Sequence, residues 1–174
     1  MNYAAIKPTD VANGPGVRVS LFVSGCTHFC KDCFNAEAWD FSYGNYFSAE
    51  VQAEILRLLD HDYIAGLSLL GGEPLEPVNQ EGLLPLVRAV RSRFPEKTIW
   101  CYTGYEWEII FNTMMKDSQV CRELIGYLDV LVDGKFEAER KNLNLRFRGS
   151  ENQRILEVKR SLEEQRAVQV FLNR

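Results

Sequence analysis

Apolar positions change their spacing several times along this chain, and each change predicts an element. Behind the turn-rich NGPG (13–16), Val17, Val19, Leu21 and Val23 alternate in VRVSLFVSG, which predicts a strand with a buried face. An aromatic-rich, irregular stretch then runs to Phe47. Beyond it the spacing turns helical: Val51, Ile55, Leu58 and Leu59 share one face behind Ser48, a residue suited to an N-cap. IAGLSLL (64–70), stopped by Gly71-Gly72, reads as a second strand. Leu83, Val87, Val90 and Phe94 then outline a helix whose Pro85 is expected in the first turn, where no hydrogen bond is lost.

TIWCYT (98–103) reads as a third strand, followed by helical sequence from about Tyr105 to Met115 and a short helix near Cys121 to Tyr127. VLVDGKF (130–136) is a fourth strand. LRFRG (145–149) is a weaker element, a polar helix is expected from about Glu151 to Glu164 with Ser150 as its N-cap, and AVQVFLN (167–173) fits a short closing strand. Strands that alternate with helices imply parallel β–α units, because parallel neighbours need a crossover. The fold class is therefore α/β, in one domain over 1–174 with a polar C-terminal extension from about 150. In such folds, functional groups gather at the C-terminal ends of the strands. There the chain places its cysteines, then GGEP, then Tyr102-Thr103-Gly104, then Asp133 and Lys135.

Composition narrows the setting. Of 174 residues, 46% are hydrophobic and 25% charged, the balance of a globular protein. The net charge of -4 argues against broad binding to nucleic-acid phosphates. No apolar run approaches about 20 residues, and the N-terminus lacks a charged segment leading into an apolar one, so no membrane role is expected. A cytoplasmic location, where thiols stay reduced, follows as the expectation. Five cysteines, an odd count, do not fit a pure disulfide framework.

Three of the five, Cys26, Cys30 and Cys33, fall within VSGCTHFCKDCFN at spacing C-x3-C-x2-C. A compact loop can aim three thiolates at one inorganic centre. A four-iron cubane usually takes four thiolates, so three leave one iron open. Two other readings stay open at this point. Positions 26, 30 and 33 also share one face of a helix and would suit core packing, although His28, Lys31 and Asp32 interrupt the stretch. A structural zinc site is the other, with His28, Cys101 or Cys121 as fourth ligand. Cys101 and Cys121 fall in a strand and a helix and read as buried small side chains. The glycines of Gly71-Gly72-Glu73-Pro74 would let a ligand approach exposed backbone groups, which suits a zwitterion; alone, the motif most often marks just a turn.

Taken together, C-x3-C-x2-C after the first strand and GGEP after the second resemble the radical S-adenosylmethionine (SAM) enzymes. NGPGVR, SLFVSGCTHFCKDCFN, LLGGEPL, YTGY, LVDGKF and RGSENQR resemble, more narrowly, the small activating proteins of anaerobic ribonucleoside-triphosphate reductase. The likeness runs from Met1 to about Arg154.

The resemblance implies a radical SAM fold, an incomplete, open parallel (β/α) barrel with its cluster loop at 26–33. It implies that Cys26, Cys30 and Cys33 ligate three irons of a [4Fe–4S] cluster and that SAM chelates the fourth. One electron then breaks the S–C5′ bond, and the 5′-deoxyadenosyl radical takes a hydrogen atom from a glycine near the C-terminus of the reductase. An electron donor of flavodoxin or ferredoxin type is a second implied partner. Gly71, Gly72 and Glu73 map onto the loop for the SAM amino group. Asp32, Cys33 and Phe34 are expected to line the cofactor, Asp133 and Lys135 to meet its methionine moiety, and Thr103 to touch ribose or adenine. Asp32 stands where many radical SAM enzymes carry an aromatic residue, which leaves Phe34 as a substitute cover for adenine. His28 is expected to order the loop, and Arg146 and Arg148 to contact the reductase. Activation of a pyruvate formate-lyase-type enzyme is the neighbouring reading, and a non-enzymatic zinc-binding module is the rival from another class.

Overall fold

The computed structural model describes residues 1–170. Strands β1 (Asn2–Asp10), β2 (Val17–Val23), β3 (Asn45–Tyr46), β4 (Ile64–Gly71), β5 (Thr98–Tyr102), β6 (Val130–Asp133) and β7 (Arg154–Glu157) form one sheet. Its order is β3-β1-β2-β4-β5-β6-β7. The central β2, β4, β5 and β6 run parallel. Both edges are antiparallel, with β1 against β2 and β3 and with β7 against β6. The class is α/β as expected, but the sheet is mixed rather than parallel throughout. A turn of only six residues joins β1 to β2, too short for the crossover that a parallel pair requires.

Helices make the other connections. They are α1 (Ala49–Leu59), α2 (Pro77–Arg93), α3 (Trp107–Ile109), α4 (Met115–Asp117) after a π-turn at Ile110–Met114, α5 (Gln119–Tyr127) and α6 (Val158–Glu164). Ser48 caps α1 as expected, its side chain accepting from the Val51 N–H, and Ser118 caps α5 through Cys121 N–H. Alternate strand residues point to opposite faces. Val19, Leu21, Val23, Leu67, Leu69, Ile99, Cys101 and Leu131 face the helices and join Ile55, Leu59, Leu83, Val87 and Leu124 in the main core. The opposite face carries a small cluster of Trp100, Val132 and Ile155 with Phe147 against it, and among the described residues no helical one joins that cluster.

Several expectations are corrected. α2 begins at Pro77, so Pro85 lies in its interior, exposed on the solvent side, and cannot donate to the Glu81 carbonyl. The polar helix expected from Glu151 is instead β7 followed by α6. Ser150 caps nothing: it is fully buried, and its hydroxyl accepts from Glu137 N–H. Residues 145–149 form no strand; the neighbouring order comes from a bridge between Lys141 and Ser150. In the tail, Gln169 bridges to Leu156, and the remainder of the expected strand, from Phe171, lies outside the described residues. Among the described residues no helix is long and apolar enough to cross a membrane.

Candidate functional site

Past Val23 the chain turns at Gly25, which has φ 97° and where a Cβ would collide with the Phe41 ring. The Gly25 N–H donates to Ala38 O (2.8 Å) and the Cys26 N–H to Trp39 O (3.1 Å), pinning the loop to a one-turn 3-10 helix at Ala36–Trp39. Phe29 and Asp32 adopt the left-handed conformation (φ 51° and 56°), which folds the loop back between its thiols. The loop is no helix, so the shared helix face that core packing requires does not exist. Cys26 is buried, Cys30 and Cys33 are half-buried, and all three are free thiols lining one cavity of about 570 Å³. Burial, with the Glu73 and Glu76 charges nearby, pushes the Cys26 thiol up to about 11. Burial and then neighbouring Cys33 push Cys30 up, against the pull of Phe136 N–H and Lys135.

β4 delivers the glycine pair to the same place. A Cβ on Gly71 (φ 108°) would lie 2.7 Å from Phe22 Cα, and one on Gly72 would lie 2.6 Å from the Gly25 carbonyl oxygen. The Gly72 N–H donates to Val23 O and the Glu73 N–H to Gly25 O, both at 2.8 Å. The glycines thus let two loops pack backbone against backbone, and these two N–H groups, expected to be open to a ligand, are spent on that contact.

Gly71, Gly72, Glu73, Thr103 and Phe34 line the cavity with the cysteines, as does Arg148. The Thr103 hydroxyl donates to Glu73 Oε1 (2.8 Å), which commits it to the protein. Phe34 is 66% exposed and packs on Phe136 at 5.3 Å between centroids, with Lys141 Nζ 4.9 Å from its ring centroid. Lys135 is exposed and does not line the cavity, although its charge reaches Cys30. Asp32 is exposed and outside the lining.

Asp133 is placed differently from expectation. It is 1% exposed, accepts from Trp107 N–H at the start of α3, and pairs with Arg154, so the structure does not bring it to the cavity wall. Arg154 was the available signal, a cation facing the end of the fourth strand. Arg148 donates to Gln153 O, and Arg146 lies over the Phe147 ring at 5.2 Å. Sequence reasoning missed Gln153, which gathers the far wall: its Oε1 accepts from Gly149 and Ser150 N–H, and its Nε2 donates to Gly134 O.

The residues present fit a [4Fe–4S] cluster: three free thiols on one wall, with open cavity in place of a fourth protein ligand. Among the described residues no three His, Cys, Asp or Glu side chains gather tightly enough for a single ion. The fourth zinc ligands are also taken. Cys101 and Cys121 are fully buried in the helix-facing core, and His28 Nε2 sits 2.8 Å from Glu73 Oε2.

The model of the 4Fe-4S single cluster domain matches residues 12–156. The chain is 46% identical over 157 residues to the anaerobic ribonucleoside-triphosphate reductase-activating protein of Haemophilus influenzae, covering 89% of this chain and 97% of that one. Its counterpart from Enterobacteria phage T4 is 45% identical over 157 residues, 89% of this chain and 93% of the relative. The Escherichia coli K12 counterpart is 39% identical over 155 residues, 88% and 96% respectively. This chain therefore belongs to the family of anaerobic ribonucleoside-triphosphate reductase-activating proteins.

Proposed function

We propose that this chain is a radical SAM activase that places a glycyl radical on anaerobic ribonucleoside-triphosphate reductase. The observation that carries this reading is the meeting of three free thiols and the Gly71-Gly72 turn on one cavity at the C-terminal ends of parallel strands. Cys26, Cys30 and Cys33 would hold three irons of a [4Fe–4S] cluster, and SAM would occupy the cavity beside them. When bound, the reduced cluster supplies the electron that cleaves SAM, and with it the radical that takes the glycine hydrogen atom.

The chain's own residues bind, orient and shield. Phe34 and Phe136 offer an aromatic face for adenine. Lys135, beside Cys30, offers a cation to the SAM carboxylate. Thr103 lines the same cavity. Gln153 and the segment it gathers, with Arg148, form the far wall that excludes water from a reactive radical. Asp133 acts from behind, as an anchor for α3. Phe34, Leu143 and Arg148 line the cavity, the first two exposed, and there the glycine-bearing C-terminal loop of the reductase would dock, with Arg146, two residues before Arg148, as a further contact.

Helices on one face of the parallel strands and the cavity on the other support an open, partial (β/α) barrel, in one radical SAM domain over 1–174. Five free cysteines suit a cytoplasmic setting; the one-electron reduction of the cluster calls for a donor of flavodoxin or ferredoxin type. The reductase is preferred over a pyruvate formate-lyase-type partner because the relatives compared above carry its name. Anaerobic reconstitution with iron and sulfide tests the reading. A brown protein that, once reduced, converts SAM to equal amounts of methionine and 5′-deoxyadenosine supports it; a colourless protein retaining one zinc contradicts it.

A further inference from the structure

The carboxylate of Glu73 is 1% exposed, and its bonds all lead back into the protein. Oε1 accepts from Leu75 N–H and the Thr103 hydroxyl, each at 2.8 Å. Oε2 accepts from Gly104 N–H and faces His28 Nε2, again each at 2.8 Å. A carboxylate only accepts, so His28 Nε2 is the donor, and four donors occupy its lone pairs. Gly104 leaves the room this needs, because a Cβ there would lie 2.6 Å from His28 Nε2. The Tyr105 ring packs edge-on against the imidazole at 4.5 Å.

One turn further, Glu76 is 6% exposed and accepts from the N–H and hydroxyl of Thr27, at 2.9 and 2.5 Å. Asn79 donates to Ser24 O and Glu73 O from between them. Two buried carboxylates on one loop therefore grip two consecutive residues on the other, and those residues sit between the first and second cysteines.

We propose that Thr27 and His28 are positioning residues that clamp the cysteine loop onto the buried carboxylates of Glu76 and Glu73, presetting the three thiols before iron arrives. Glu73 is then the anchor of the clamp and not a direct partner of the SAM ammonium. This deepens the reading of Cys26, Cys30 and Cys33 as cluster ligands and rests on it. The carboxylates belong inside because donors hold them, Glu73 through both oxygens and Glu76 through Oε1; without its donors, such a charge would stand unpaired.

Amide hydrogen exchange on the cluster-free full chain tests the clamp directly. In the parent, the Gly25, Cys26 and Thr27 amides are protected. His28→Ala is expected to speed their exchange by about tenfold or more, while the β5 amides stay as in the parent. His28→Gln keeps an N–H for Glu73 and is expected to return within about threefold of the parent. Parent-like exchange in His28→Ala, or no rescue by glutamine, overturns the proposal. If His28→Ala unfolds, β5 exchanges too, and Thr27→Val with His28→Gln decide by the same criterion.

A second arm uses cluster-loaded protein. Glu73→Gln is expected to incorporate less iron per chain, while the loaded fraction binds labelled SAM within about threefold of the parent. Full iron content with SAM binding weakened by about tenfold or more would make Glu73 a direct ligand instead. A parent that builds no cluster would defeat the functional reading, and the exchange arm would still decide the clamp.

Discussion

At Gly72 one methyl group decides whether two loops can meet. A Cβ there would stand 2.6 Å from Gly25 O and 2.8 Å from Ala38 O, both backbone atoms that cannot step aside. Gly72→Ala is therefore expected to destabilise the cluster-free protein by about 1–3 kcal/mol and to lower iron incorporation. Urea unfolding and an iron assay check it, and a variant matching the parent in both would contradict the close-packing account. Arg18 is the second telling residue. It is 1% exposed and donates to Ser68 Oγ, Thr98 Oγ1, Leu67 O and Thr98 O, and its burial lowers its pKa to about 10. Arg18→Met would leave two buried carbonyls without these donors, for an expected loss of about 3 kcal/mol in the same unfolding assay. The three cysteines were legible in the sequence because their spacing is local. The Glu73 and Arg18 networks were not, because most of their partners lie 30 to 80 residues away.

Among the elements, α2 carries its own weak point. Pro85 interrupts the helix on its exposed side, where no packing requires the ring. Pro85→Ala is expected to stabilise by about 1–3 kcal/mol, a rise in thermal midpoint of about 2–4 °C for each kcal/mol. An unchanged or lower midpoint would show that the proline serves a contact instead. The segment that Gln153 gathers is the other sensitive element. Gln153→Ala removes acceptors from Gly149 and Ser150 and a donor from Gly134 O, and is expected to raise the KM for SAM several-fold more than it lowers kcat. Steady-state kinetics of SAM cleavage check this.

The four parallel strands, α1, α5 and the later part of α2 were legible, because each carries a regular apolar face; the start of α2 at Pro77 was not, because its first turns expose Val78 and bury Asn79 and Gln80. β1 was not: register shifts between Tyr3 and Ala5 and between Lys7 and Asp10 break its period of two. β7 escaped because Ile155 and Leu156 bury on opposite faces, one in each cluster, within a stretch otherwise polar enough to read as helix.

Across the whole molecule, one sheet separates two tasks. Its helix-facing side holds the main core, and its other side, lined by Phe22, Leu70 and Tyr102, opens into the cavity that the cysteine loop caps. Phe29, Phe34 and Leu143 are exposed, and the last two line that cavity. The proposed activity requires cluster, SAM and a glycine of the reductase to meet in one complex. The most direct test incubates the reduced, cluster-loaded chain and SAM with anaerobic ribonucleoside-triphosphate reductase and records the EPR spectrum. The account predicts a glycyl-radical doublet on the reductase, absent without SAM and absent when Cys26→Ser replaces the parent. SAM cleavage with no doublet, or a doublet that survives Cys26→Ser, would contradict it.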